Sequence, residues 1–198
     1  NTEAAYRAAT LTAKEARAIG VHIDFAPVVD VNNNSNNPII NIRSYGEDQK
    51  LVYGMAVAAI KGYQENGLLA TAKHFPGHGN TSVDSHSKLG MVESAPDEFQ
   101  SVELYPYREV LKKTDLAAIM TAHLWVKPID VDTIPATLSK NAISELLRKK
   151  LGFSGLILPD ALIMGGITSR YSLAEATVKT IQAGCDIILW PGNPATSF

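Results

Sequence analysis

The sequence predicts an α/β domain built on a parallel sheet, and three observations carry that prediction. Five short apolar runs punctuate the chain, at residues 21–31, 69–74, 117–123, 155–160 and 186–190. Longer amphipathic or alanine-rich segments separate them, and no break in composition divides the chain. Runs apolar throughout suit strands buried on both faces, as parallel strands are, and strands alternating with helices build such a sheet. With 198 residues, 45% of them hydrophobic, the chain suffices for one domain with a substantial core.

The elements follow in order. Residues 2–19 and 48–66 read as helices stopping at Gly20 and Gly67, since glycine accepts the left-handed backbone that ends a helix. The Asn-rich stretch 32–37, closed by Pro38, follows the first run directly and reads as a loop. Pro96-Asp97-Glu98 reads as a first helical turn, with proline where no N–H is needed and acids at the positive end. Pro106 is expected to break or kink that segment. Ser139 and Ser172 are the expected N-caps of helices 140–150 and 173–183, which end before Gly152 and at Gly184.

A net charge of −2 gives no electrostatic reason to expect nucleic acid or an anionic membrane as partner. Cys185 is the one cysteine, so no intrachain disulfide forms. No apolar run approaches the roughly 18–20 residues that span a bilayer. The chain opens inside what reads as a helix, so further sequence is expected upstream.

Chemistry concentrates where the runs end. The first ends in Asp30, the second in Lys73-His74, the third in His123 and the fourth in Asp160. One polar residue at a strand end commonly serves structure; four on the C-terminal rim, where parallel sheets bind ligands, point to a site. The longest post-strand loop, from Phe75 to about Gly90, carries His78, Asp84 and His86. In Asp84-Ser85-His86 the spacing lets a carboxylate fix the imidazole tautomer and leave the other ring nitrogen for proton transfer, although an Asx-type turn fits it equally. Asp160 suits a nucleophile, a metal ligand or a cap for the next segment. Arg43 suits either a fork for substrate oxygens or a solvated surface position. The five histidines include no His-x-His pair and no helical His-x-x-x-His pair of the kind that chelates zinc, so neither metal nor other cofactor is expected.

Taken together, Asp24-Phe25-Ala26-Pro27-Val28-Val29-Asp30-Val31, Arg43-Ser44-Tyr45-Gly46, Lys73-His74-Phe75-Pro76-Gly77-His78-Gly79, Asp84-Ser85-His86, Met120-Thr121-Ala122-His123 and Asp160-Ala161-Leu162-Ile163-Met164-Gly165-Gly166-Ile167 carry a resemblance. In order and approximate spacing they resemble the N-terminal barrel domain of glycoside hydrolase family 3, in its β-N-acetylhexosaminidase (β-N-acetylglucosaminidase) branch. The resemblance runs through nearly the whole chain. It implies a TIM (β/α)8-type barrel, here covering about strands 3 to 7, and therefore a piece of a longer enzyme.

The resemblance further implies retaining hydrolysis of terminal β-linked N-acetylglucosamine. Asp160 aligns with the nucleophile that forms a covalent glycosyl-enzyme. His86 aligns with the acid/base, oriented by Asp84. Arg43, Lys73 and His74 align with residues that hold the sugar, and Asp30 and His123 are read as lining the same rim, while His78 is assigned to loop structure. The implied partner is a carbohydrate: a muropeptide, a chitin oligomer or another glycan. Two other readings stay open, a phosphorylase acting on the same glycosides and a non-catalytic barrel.

Overall fold

The computed structural model describes residues 1–82, 88–190 and Gly192. Its first helix, α1 (Thr2–Ala18), turns Ala5, Ala9 and Ala13 inward at a spacing of four, which keeps them on one face. Their small side chains bring α2 (Gln49–Gln64) close: a Cβ on Gly62 would stand 2.5 Å from the Tyr6 carbonyl oxygen. Asp48 caps α2, its carboxylate accepting from the N–H groups of Lys50 and Leu51.

Among the described residues the strands are β1 (Ile23–Asp24), β2 (Leu69–Phe75), β3 (Gly90–Val92), β4 (Ala118–Thr121), β5 (Leu124–Val126) and β6 (Leu156–Pro159). The main sheet is parallel in the order β1-β2-β4-β6, with Ile23 opposite Leu69, Thr71 opposite Ala118 and Ala118 opposite Leu156. Its spatial order follows its order in the chain. A doubly wound sheet reverses direction at a switch point, whereas a (β/α)8 barrel adds each strand on the same side. Strands β1, β2, β4 and β6 form an open arc of such a barrel.

Three expectations need adjustment. The first run is a strand only at Ile23–Asp24, because Pro27 has no N–H to continue a regular ladder. It nevertheless tracks β2: Thr71 N–H donates to Ala26 O (2.8 Å), and Val29 N–H to Lys73 O (2.7 Å). The fifth run forms no regular strand, since Asp186 and Ile187 both donate to the single carbonyl of Ile157. Residues Asn141–Lys150, expected as an α-helix, wind as a π-helix, and no residue type in the segment signals the wider turn. The parallel pair β3–β5 was not expected, because three-residue strands are too short to leave a pattern.

The punctuation holds elsewhere. The break expected at Pro106 falls just before it, between α3 (Pro96–Ser101) and α4 (Tyr105–Lys113), and Pro106 lies in the first turn of the latter. Ser139 Oγ accepts from Ala142 N–H at 3.0 Å. After the short α5 (Gly165–Thr168), Ser172 caps α6 (Leu173–Ala183), which ends at Gly184 with φ +116°.

Between sheet and helices, Ile60, Leu147, Ile119 and Ile157 are fully buried. Each such side chain contributes about 1.5–3 kcal/mol through burial. Phe75, on the last residue of β2, meets Tyr107 edge to face with ring centroids 5.2 Å apart, tying that strand end to α4. Among the described residues no helix is long and apolar enough to cross a membrane.

Candidate active site

The C-terminal ends of β1, β2, β4 and β6 converge on a cavity of about 300 Å³. Its polar wall is Arg43, Lys73, His74, His78 and Asp160; Phe25, Ile39, Met120, Leu189 and Trp190 supply much of the remainder. A few converging polar groups against apolar walls is how small-molecule sites are usually composed.

His74 sits at the centre of the polar wall. Its Nδ1 lies 2.7 Å from Asp30 Oδ2, and both residues are buried. The ionised carboxylate only accepts, so Nδ1 carries the proton and Nε2 presents a lone pair. Arg43 Nη2, 3.3 Å away, donates to that lone pair. Asp30 also accepts from the backbone N–H of His74 at 3.2 Å and of His78 at 2.7 Å. Burial by itself would raise the Asp30 carboxyl, but the electrostatic pull and hydrogen bond of the His74 Nδ1–H, with the field and backbone N–H of His78, hold it below the usual range.

Burial lowers the Lys73 ammonium from its ordinary value, and nearby Arg43 adds to this; Asp160 opposes it. Burial also drives the His78 imidazole down to about 4, against the opposing pull of Asp30, so the ring is neutral near pH 7. Thr81 Oγ lies 2.9 Å from His78 Nδ1.

Asp160 follows β6 directly. Its backbone N–H donates to Thr121 O at 2.8 Å, extending the pairing with β4, and its Oδ1 accepts from Ala161 N–H at 2.8 Å. His123 braces this turn from behind. Its Nε2 donates to Ala161 O at 3.0 Å, and Thr137 Oγ lies 3.0 Å from its Nδ1.

Arg43, Lys73, His74 and Asp160 therefore meet at one cavity. Asp30 and His123 differ from the expectation: neither lines the cavity, and each contacts a residue that does. Both point their polar atoms at buried hydrogen-bonding partners, which satisfies groups that are only 1% exposed. Conversely, His78 lines the cavity as well as holding its loop. Asp84 and His86 lie outside the described residues. Phe25, Met120 and Leu189 escape a sequence reading because an apolar residue facing a cavity looks like one facing the core.

The family model for the glycosyl hydrolase family 3 N terminal domain matches residues 1–197. β-Hexosaminidase A of Pseudoalteromonas piscicida is 39% identical over 197 residues, covering 94% of this chain and 33% of that protein. Among solved structures, a glycoside hydrolase family 3 β-N-acetylglucosaminidase from Paenibacillus sp. str. FPU-7 matches with a TM-score of 0.93 and 42% identity, over 96% of this chain and 36% of its own. The β-glucoside phosphorylase BglX matches with a TM-score of 0.95 and 30% identity, over 100% of this chain and 37% of its own. The chain thus spans about a third of the length of these relatives.

Proposed function

Because the chain belongs to the glycosyl hydrolase family 3 N-terminal domain family, we propose that the full-length protein is a retaining β-N-acetylhexosaminidase that removes terminal β-linked N-acetylglucosamine. The observation that carries this reading is Asp160 at the end of β6, lining one sugar-sized cavity together with Lys73, His74 and Arg43.

In the first step an oxygen of Asp160 attacks the anomeric carbon as the bond to the leaving oxygen breaks. His86 donates its proton to that oxygen, and a covalent glycosyl-enzyme forms. In the second step His86 takes a proton from water, whose oxygen attacks the anomeric carbon and frees Asp160; two inversions retain the β configuration. The Ala161 N–H on Oδ1 orients the carboxylate and leaves Oδ2 for attack. The lysine and arginine supply positive charge and donors for sugar hydroxyls, and Asp84 holds the acid/base ring.

Retaining glycosidases usually pair two carboxylates about 5 Å apart. Among the described residues lining this cavity, Asp160 is the only carboxylate. That composition agrees with an imidazole acid. A protonated ring beside an anionic nucleophile sets opposite charges together, where two carboxylates would compete as like charges in one site. β-Hexosaminidase A and the Paenibacillus β-N-acetylglucosaminidase support the choice of N-acetylhexosamine.

The test is turnover of aryl β-glycosides that differ at the 2-position by the full-length protein. Preference for the N-acetylglucosaminide over the glucoside is expected; the reverse preference, or no turnover of either, overturns the reading. Phosphorolysis is the second reading, favoured by the likeness to BglX and by the absence of charge repulsion between a neutral imidazole and phosphate. Product analysis with and without inorganic phosphate separates the two: sugar 1-phosphate as the main product replaces hydrolysis by phosphorolysis.

A further inference from the structure

Asn37 lies in the Asn-rich loop, outside every motif that points to the chemistry, and is only 2% exposed. Its amide uses its full hydrogen-bonding capacity. Nδ2 donates to His78 O at 2.7 Å and to Gly79 O at 2.9 Å, while Oδ1 accepts from the N–H groups of Ile39 and Ile40, each at 2.9 Å. Flipping the amide would set oxygen against two carbonyls and NH2 against two N–H groups, so the assignment follows from the partners.

These bonds join the two loops that carry the sugar-gripping groups. On one side, Ile40 O accepts from Arg43 N–H at 2.7 Å, and Ile39 O from Arg43 Nη1 at 3.4 Å. On the other, His78 N–H reaches Asp30, which holds His74, and His74 in turn accepts from Arg43. The bonds close into a ring: Asn37, His78, Asp30, His74, Arg43, Ile39 and back to Asn37. The 77–81 loop also packs against the end of the first apolar run, where a Cβ on Gly79 would overlap the Val31 carbonyl oxygen.

We infer that Asn37 is a positioning residue for the sugar site, setting the separation of Arg43 from His74 by bridging the 37–43 and 77–81 loops. Substrate does not touch it; it acts through the guanidinium. The inference rests on the glycosidase reading above, and wild-type turnover tests that reading separately from any ratio between variant and wild type.

The experiment compares the full-length wild type with Asn37→Asp, which keeps the shape and the two accepted bonds but turns a carboxylate oxygen toward two carbonyls. On an aryl N-acetyl-β-glucosaminide at pH 7.5, kcat/KM should fall roughly tenfold to a hundredfold, the scale expected when a binding group is misplaced by about an ångström. Lowering the pH to 5 should bring the variant back toward wild type measured at the same pH, because a protonated carboxyl donates again. A merely structural asparagine would not produce that pH-dependent recovery. If the Asp variant does not fold, Asn37→Ser, which keeps an acceptor for Ile39 and loses the donors, should show a loss of similar size in N-acetylglucosamine affinity by calorimetry. Folded variants whose kcat/KM and sugar affinity stay within about twofold of wild type, or whose deficit is the same at both pH values for the Asp form, overturn the assignment.

Discussion

Asp30 Oδ2 lies 2.7 Å from His74 Nδ1, with Asp30 1% and His74 4% exposed. A buried carboxylate is tolerated only when its lone pairs are filled, and this one also takes the backbone N–H groups of His74 and His78. The pair therefore does two things: it fixes the tautomer that lets His74 accept from Arg43, and it anchors the start of the loop after β2.

Asp30→Asn should destabilise the protein by about 3 kcal/mol at pH 7, since it removes one partner from a buried charged cluster. The Asp30 carboxyl titrates below its unfolded value, which is about 3.9. Its stabilisation is thus present above that pH and is lost as pH falls through the folded value. Melting temperatures of both proteins from pH 7 to 3 should converge below about pH 4. A gap that stays constant to the acid end would contradict the pairing.

His78 makes a separate contribution in a higher window. Its folded value is about 4, against 6.5 for the free side chain. The unfolded chain therefore binds a proton that the folded one refuses, so stability declines as pH drops from about 6.5 to about 4, by about 3 kcal/mol in all. In His78→Gln that slope should disappear while the loss below about pH 4 remains. An unchanged slope in unfolding measurements would mean that another group titrates there.

The acid/base assignment makes a kinetic prediction. His86→Ala should slow substrates with poor leaving groups by about 10²–10⁴-fold, the usual reach of general acid catalysis, and harm activated aryl glycosides much less. Rates on a series of leaving groups measure this directly. Equal losses across the series would remove His86 from the role of acid.

Much of this site was legible because charge at the end of an apolar run has no use inside a sheet. That logic pointed to Lys73, His74 and Asp160, which line one cavity; Arg43 ends no run, and its place beside them was expected only from the family resemblance. It did not tell direction: Asp30 and His123 stand at the same strand ends but turn toward the scaffold, because a buried polar atom takes whichever partner the fold puts in reach. Asn37 was invisible for a different reason. An asparagine in an Asn-rich loop reads as a turn residue, and its bridging bonds reach 41 and 42 positions along the chain. The α/β order survived the translation to structure because it depends on long segments, while the π-helical winding of Asn141–Lys150 and the three-residue pair β3–β5 depend on contacts that no local pattern records.

The central claim is that Asp160 forms the bond to the sugar. Its position supports a clean test, since Asp160→Asn can still accept from Ala161 N–H and should fold normally while losing turnover by a factor on the order of 10⁴. The most direct measurement traps the intermediate. The full-length protein is treated with a fluorinated N-acetylglucosaminyl substrate that slows release of the glycosyl-enzyme, then digested and mapped by mass spectrometry. The account predicts one added sugar on the peptide that carries Asp160, and none in the Asp160→Asn variant. A label on another residue, or turnover of the reagent by inversion with no label at all, would contradict it.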